Sequence, residues 1–341
     1  MRFHEVVITG PGQVEVRPGE LDLSTIGPHQ VVIETECSVI SAGTELANYT
    51  GTEPRVFEKG SWCAYPWRPG YGNVGIVRAA GQSVTNARVG ERVFTFAEHS
   101  SLVCYSDEKL IFPVPAGMDP ALAAATRMAG VSITALLVST LENDPWVVVF
   151  GLGMVGNLAA QIFRLRGCRV IGVDPLSARR ELARRCGIGQ TIGGEGDQVT
   201  EQIRRITGGA LGDIVVESVG HSAVALQAVG ATAALGQLVL LGSPRAPVRT
   251  NLTEFLSDVH LRGIRVQGAL EWRWPTYPDP FGRLSHFTKF EMIFAWIQRG
   301  LLQLEPLISH RLPPTRIVEA YNGLRDRPEV FTGVVLDWRQ P

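Results

Sequence analysis

The sequence predicts an α/β protein in which a doubly wound parallel sheet follows a partly open β-barrel. Three observations predict it. The run Trp146-Val-Val-Val-Phe-Gly151-Leu-Gly153-Met-Val-Gly156 is apolar and β-branched, ends in G-x-G-x-x-G and leads directly into a helical pattern. From Trp146 onward strand-like and helix-like segments alternate, the order that builds a parallel sheet. Before it, roughly the first 115 residues carry short alternating apolar runs divided by Gly and Pro, as antiparallel strands do.

Taken in order, Met1-Arg-Phe-His-Glu-Val-Val-Ile reads as a first strand and lacks the apolar core of a signal peptide. Gln30-Val-Val-Ile-Glu-Thr, Gly75-Ile-Val-Arg-Ala-Ala and Glu91-Arg-Val-Phe-Thr-Phe alternate as strands. Asp119-Pro-Ala-Leu-Ala-Ala-Ala opens a helix, with a capping Asp and Pro at its first position. Helices are expected over Ser177 to Cys186 and Asp197 to Thr207. Gly212 to Gly220 reads as a buried strand, followed by an alanine-rich helix from Ser222. Gly236 to Ser243 and Arg265 to Leu270 are the next strands, the latter the sixth of the parallel sheet. A Pro- and aromatic-rich loop, Glu271 to Gly282, precedes a helix from about His286 to Gly300. The closing strand, Gly333 to Trp338, is expected to return to the N-terminal domain. The domain reading is 1–118, 119–285 and 286–341, with no internal repeat or low-complexity tract.

At 341 residues the chain is too long for one ordinary core and suits two domains. A hydrophobic fraction of 45% and a charged fraction of 19% are those of an ordinary soluble protein. A net charge of −1 gives no electrostatic reason to expect nucleic acid or an anionic membrane as partner. No apolar run is read as reaching the roughly 20 residues that span a bilayer. Cys37, Cys63, Cys104, Cys168 and Cys186 are scattered, odd in number and without a C-x-x-C pair, so neither a disulfide framework nor a structural zinc knuckle is expected. The cytoplasm is the default compartment. Cys37 and Cys63 have no basic neighbour and read as inert.

The glycine motif gains force from its surroundings. A second apolar run, Cys168-Arg-Val-Ile-Gly-Val-Asp174, closes with an acid about 20 residues further on. Gly151 allows the tight strand-to-helix turn, Gly153 lets backbone approach a pyrophosphate, and Gly156 lets the helix pack against the strand; Met154 and Val155 complete the loop. Asp174 sits where a carboxylate accepts bonds from the adenosine ribose hydroxyls, so a nicotinamide dinucleotide is expected. A carboxylate there repels a 2′-phosphate, which favours NAD. Arg179 and Arg180 leave NADP open, because they either pair with a phosphate or stand as solvated helix charges.

These features, together with Ile40-Ser-Ala-Gly-Thr-Glu-Leu46, Pro69-Gly-Tyr-Gly-Asn-Val-Gly75, Val89-Gly-Glu-Arg-Val93 and Met128-Ala-Gly-Val-Ser132, resemble the medium-chain dehydrogenase/reductase superfamily over nearly the whole chain. The Ser-Ala-Gly-Thr-Glu variant is similar to the branch that includes bacteriochlorophyllide dehydrogenase. The resemblance implies a GroES-like catalytic domain and a Rossmann domain. It implies that Arg179 contacts the adenosine ribose, that Ser218 and Val219 border the adenine–ribose side, and that Gly242, Ser243 and Ser132 lie toward the nicotinamide. Gly333 stands where many relatives carry a cation over the pyrophosphate.

The departures concern metal. Ungapped matching puts Ala42 and Met128 at the family's two zinc-binding cysteine positions, Tyr71 at the histidine and Gly72 at the adjacent glutamate. None is a normal zinc ligand. The four-cysteine lobe expected after Val93 is also missing, so a zinc-free member is expected. Tyr71 is then the first candidate acid/base, although its pKa near 10 must fall for it to act as a base and no lysine is evident beside it. Thr44 matches the hydroxyl that relays the substrate proton in relatives; otherwise it binds only its loop or the ribose. Glu45 matches the acid that holds the zinc-ligating histidine and is expected either to hold Tyr71 or to serve structure. Tyr71 itself is alternatively a packed aromatic, and His99 is read as a surface histidine.

Trp62, Trp67 and Arg68, with Arg273 and the aromatics from Trp272 to Phe281, suit either a pocket for a ring-shaped substrate or an interface. Three functions follow. The first is a zinc-independent, NAD-dependent dehydrogenase of a secondary alcohol or its ketone, on a sugar-like or other ring substrate. The second is an NADPH-dependent enone or quinone reductase, and the third a dinucleotide-binding protein without catalysis. A small-molecule substrate and a homodimer paired near Arg265 to Leu270 are expected.

Overall fold

A computed structural model describes every residue except Glu195 and Pro341. The chain begins with β1 (Arg2–Gly10), β2 (Gln13–Glu20), β3 (Gln30–Val39), α1 (Ala42–Thr50), β4 (Asn73–Ala80), β5 (Arg92–Thr95), β6 (Leu102–Ser106), β7 (Ile111–Pro113) and α2 (Pro120–Val138). Alternation follows: β8 (Trp146–Phe150), α3 (Met154–Leu165), β9 (Arg169–Val173), α4 (Ser177–Arg185), β10 (Gln190–Ile192), α5 (Asp197–Ile206), β11 (Gly212–Glu217), α6 (Ser222–Ala231), β12 (Thr232–Leu240), α7 (Leu252–Leu261) and β13 (Arg265–Gly268). The chain closes with α8 (His286–Gln298), β14 (His310–Leu312), α9 (Ile317–Asp326) and β15 (Val334–Asp337).

Two compact units result. The first comprises Met1–Arg127, Trp274–Gln298 and the chain from Ile308; the second comprises Met128–Arg273 and Arg299–Leu307.

In the first unit a mixed sheet runs β14-β15-β3-β4-β5-β7, with β6 paired to the other edge of β3. Its pairings are antiparallel except for β14 with β15. β15 therefore joins the sheet of the N-terminal strands through Val335 opposite Val39. The β1–β2 hairpin is tied on by bridges from Ile8 to Trp67 and from Glu5 to Ser100. Phe94, Phe112, Phe290 and Phe294 fill a second core with ring centroids 4.7 to 6.5 Å apart.

In the second unit six strands pair in parallel in the order β10-β9-β8-β11-β12-β13. β8 lies inside the sheet, so Val147, Val148, Val149 and Phe150 are all buried and the run shows no alternation. The strand order reverses between β8 and β11, and a ligand crevice lies at such a switch point, outside the carboxyl ends of the strands.

Two boundaries differ from the sequence reading. β12 begins at Thr232 instead of Gly236, because Leu235 takes φ 62 and interrupts the alternation with an outward bulge. β13 ends at Gly268. One helix also corrects the apolar-run reading: Pro120–Val138 has the length and hydropathy of a membrane span, but 78% of its apolar window is buried inside the protein. Its start follows the capping rule, with Asp119 Oδ1 accepting from Leu122 N at 3.0 Å. Asp119→Ala should cost about 1 kcal/mol in denaturant unfolding; an unchanged midpoint would mean that the cap is dispensable.

Candidate active site and glycine loop

In the second unit the glycine loop sits at the switch point. Gly151 adopts φ 87, which glycine tolerates freely, and a Cβ there would lie 2.7 Å from Val219 Cγ2. At Gly156 an added Cβ would come 1.9 Å from Gly151 O and 2.4 Å from Ser218 Oγ, so only glycine lets α3 start this close to β8. Gly153 caps α3 without a side chain, and the nearest atoms to its missing Cβ belong to the Arg179 guanidinium at 3.9–4.0 Å. Backbone amides at this end have room to receive an anion.

Several expected cofactor residues hold this loop in place. Asp174 is 2% exposed; Oδ2 accepts from Leu152 N at 2.8 Å and Oδ1 from Leu176 N at 2.9 Å. Arg179 Nη1 lies 3.7 Å from Oδ2. Arg180 takes neither role left open for it, since its Nη1 donates to the carbonyls of Asp174 and Pro175 at 2.7 Å. Ser218 Oγ donates to Phe150 O and Gly151 O, while Val219 beside it is exposed. Ser132 is fully buried and donates to Met128 O and Val155 O, each at 2.8 Å. Met154 is buried, Val155 half-buried, Gly242 packs its Cα face on Gly220, and Ser243 is exposed.

The hydroxyls of Ser132 and Ser218 are bonded to backbone around the loop and support it. Glu217 went unnoticed in the sequence. It is buried, accepts from Val219 N and Gly220 N at 2.7 and 2.9 Å, and burial raises its carboxyl pKa despite those bonds.

In the first unit Tyr71 lies between two glycines that admit its neighbours. A Cβ on Gly70 (φ 99) would lie 2.6 Å from His99 N, and one on Gly72 2.7 Å from Arg127 Cβ. The half-buried Tyr71 phenol bonds Ser41 Oγ and the Thr44 hydroxyl. Arg127 lies within a helix that is otherwise mostly apolar. Its guanidinium sits 4.5 Å over the Tyr71 ring and 4.3 Å over Phe96, and Nε donates to Tyr71 O at 2.8 Å. Burial raises the Tyr71 pKa above its usual 10.0, outweighing Arg127 and the Ser41 and Thr44 bonds, with Glu45 adding to the rise. The fall that a base would need does not occur.

Glu45 does not hold Tyr71. It has no exposed surface: Oε1 accepts from Ser41 N at 2.8 Å, and Oε2 bonds Tyr321 OH at 2.8 Å and His99 Nε2 at 3.0 Å. His99 is correspondingly no surface residue; it is fully buried, with Nδ1 on Ser38 Oγ at 2.8 Å. Strand-end position alone gave no sign of that burial.

Other expectations also move. Arg68 is held bidentately by Glu5 at 2.6 and 3.1 Å, so it is already spent. Trp62 and Trp67 meet edge to face at 5.8 Å. The Trp272–Phe281 loop is divided between the units, with Phe281 fully exposed. Cys37 and Cys63 are buried, and burial pushes the Cys37 thiol up to about 12.

The four zinc-position residues do not fit that metal. Ala42 and Gly72 offer no donor, Gly72 has no room for a carboxylate against Arg127, Met128 offers a buried thioether, and Tyr71 keeps its proton. Among the described residues, no group of three His, Cys, Asp or Glu is placed to hold a metal. The glycine loop, by contrast, fits a dinucleotide.

Two substitutions check this geometry. Gly156→Ala should lower stability by about 1–3 kcal/mol and weaken NADH binding in a fluorescence titration, the reverse of the usual gain from helical Gly→Ala. His99→Ala should cost on the order of 3 kcal/mol in urea unfolding, since it leaves a buried carboxylate short of a donor; a loss near zero would remove the buried network from the account.

Comparison with known proteins agrees with this arrangement. Residues 154–284 match the family described as zinc-binding dehydrogenase. L-threonine 3-dehydrogenase of Bacillus velezensis is 25% identical over 340 residues, covering 90% of this chain and 91% of its own. The 2-desacetyl-2-hydroxyethyl bacteriochlorophyllide A dehydrogenase of Cereibacter sphaeroides is 28% identical over 353 residues, covering 99% of each chain. A solved structure described as a short chain alcohol dehydrogenase of Escherichia coli CFT073, complexed with NADH, superposes with a TM-score of 0.79 over 99% of both chains; at 18% identity it speaks for the fold. The β8–β13 order, the glycine loop and these matches together support the zinc-type medium-chain dehydrogenase/reductase superfamily and, at that coarse level, an NAD(P)-dependent oxidoreductase.

Proposed function

We propose that this protein is a zinc-independent, NAD-linked dehydrogenase that interconverts a secondary alcohol and its ketone on a ring-shaped small molecule. One observation carries the reading: a phenol held by Ser41 and Thr44 stands at the family's zinc-ligand position and keeps its proton. The nicotinamide, when bound, supplies or accepts the hydride. The loop amides from Gly151 to Gly156, with Met154 and Val155, hold the diphosphate, and Arg179 borders the adenosine ribose beside the buried Asp174 carboxylate. Val219 and Ser243 border the cofactor. Ser132, Ser218 and Gly242 keep its loops in register. NAD is favoured over NADP because the Asp174 carboxylate disfavours a further phosphate.

In the reducing direction Tyr71 donates to the carbonyl oxygen and passes its proton to the developing alkoxide, and the phenol is reprotonated from solvent. Ser41 and Thr44 orient the donor; Glu45 acts through Ser41 and His99 as a positioning residue. A phenol whose pKa is raised serves as an acid across neutral pH and as a base only in alkali. The same property suits a second reading, reduction of an enone or quinone, in which a hydrogen bond to the carbonyl is help enough. We further propose a cytoplasmic homodimer paired along the sheet edge at β13, with a small molecule as substrate and neither nucleic acid nor membrane as partner.

Turnover should be followed by nicotinamide absorbance, using cyclic alcohols and polyols with NAD or NADP and ketones, enones and quinones with NADH or NADPH, with metal analysis of the same sample. NAD-linked oxidation of a hydroxyl compound by zinc-free protein is expected. Ketone reduction should be flat across neutral pH and fall only above pH 10, as the phenol loses its proton. Tyr71→Phe should lower kcat by about 10²–10⁴-fold. Turnover confined to NADPH with enones or quinones would replace the first reading by the second, and unchanged kcat in Tyr71→Phe would remove Tyr71 from the chemistry.

A further inference from the structure

We propose that the side-chain amide of Asn48 receives hydroxyl groups of the substrate, which makes the substrate class a polyhydroxylated ring such as a sugar or cyclitol. The proposal rests on the redox reading above and names its specificity residue. Asn48 has no exposed surface, and neither Nδ2 nor Oδ1 has a hydrogen-bond partner among the described residues. Each buried polar atom left unpaired costs about 1–3 kcal/mol. A fold that keeps both ends of one amide unpaired points to a group that arrives from outside.

The position of the amide ties it to the reacting site. On α1, residues three and four apart share a face, so Asn48 falls between Thr44 and Glu45 in angle and below Ser41. It lies about 6 Å along the axis from Thr44, which with Ser41 bonds the Tyr71 phenol. Further along, Tyr65 OH donates to the Asn48 carbonyl. Phe57 meets Tyr65 edge-on at 5.8 Å and is 65% exposed. A Cβ on Gly51, at the end of α1, would lie 3.3 Å from Phe57 Cζ, so the helix leads from the reacting phenol to an exposed aromatic face.

The chemistry of an amide selects the ligand. Its oxygen accepts and its nitrogen donates twice, whereas a hydroxyl does both, so two neighbouring hydroxyls satisfy both ends. An anion would leave Oδ1 unpaired and bring charge beside Glu45. An unadorned apolar ring would leave both ends unpaired. A ring carrying hydroxyls offers both kinds of partner to the amide, and its C–H face suits the exposed Phe57 ring.

Asn48→Leu tests this, because leucine keeps the volume and removes the unpaired atoms. Wild type and variant are compared in thermal unfolding, in NADH titration, and in NAD-linked turnover of myo-inositol, D-glucose and cyclohexanol. The expected result is an unfolding temperature at or above wild type and unchanged NADH affinity. KM for the hydroxylated rings should rise roughly 10- to 100-fold, with cyclohexanol unaffected. A lower unfolding temperature with unchanged discrimination between hydroxylated and plain rings would overturn the proposal and make the amide structural. Should Asn48→Leu not fold, Asn48→Ala is read for the same split in KM. If wild type oxidises none of these compounds, the redox reading fails by itself. The amide is then judged by ligand-induced thermal shift: a rise with the hydroxylated rings in wild type alone supports it, and none in either protein overturns it.

Discussion

Glu45 has no exposed surface, and the first unit is organised around that fact. A buried carboxylate costs several kcal/mol unless donors surround it. The donors come from three places distant in sequence: the backbone of Ser41, the His99 ring and the Tyr321 hydroxyl. Ser38 Oγ accepts from Trp338 Nε1 at 2.9 Å and bonds His99 Nδ1 at 2.8 Å. A carboxylate oxygen only accepts, so the hydrogen on His99 Nε2 points at Glu45 Oε2. Strand β3, helices α1 and α9 and the C-terminal residues are thereby locked together, and Ser41 is fixed where its hydroxyl meets Tyr71.

Around Tyr71 the same economy of space operates through glycine. Gly70 lets the backbone of His99 approach, and Gly72 lets Arg127 lie against the ring. A side chain at either position would separate the phenol from one of these neighbours. Glycine at residue 72 and a guanidinium beside the ring therefore depend on each other, since a Cβ there would lie 2.7 Å from Arg127 Cβ. The result is a cluster of the Tyr71, Ser41 and Thr44 hydroxyls in which burial holds the phenol's proton.

The second unit solves a different problem, holding a backbone loop open toward an anion. Asp174, Ser132, Ser218 and Glu217 all bond to backbone of the loops that follow β8 and β11 or start α3. Polar side chains at the switch point thus act mainly as struts. The surfaces left for a ligand are amides, glycine Cα faces and the flank of Arg179.

The sequence by itself determined the fold class, the parallel order after Trp146, the tight turn at Gly151, the close packing at Gly156 and the return of the last strand. These are legible because period, turn residues and the chemistry of a missing side chain are local properties. It did not determine who holds whom. His99 read as a surface residue, Glu45 as either a partner of Tyr71 or a structural acid, Ser41 only as part of the Ser-Ala-Gly-Thr-Glu motif, and Arg127, Tyr321 and Glu217 carried no motif. Their roles arise where segments as far apart as residues 45 and 321 are packed out of water. Burial then forces every donor and acceptor to find a partner, and no spacing along the chain encodes which partner that is.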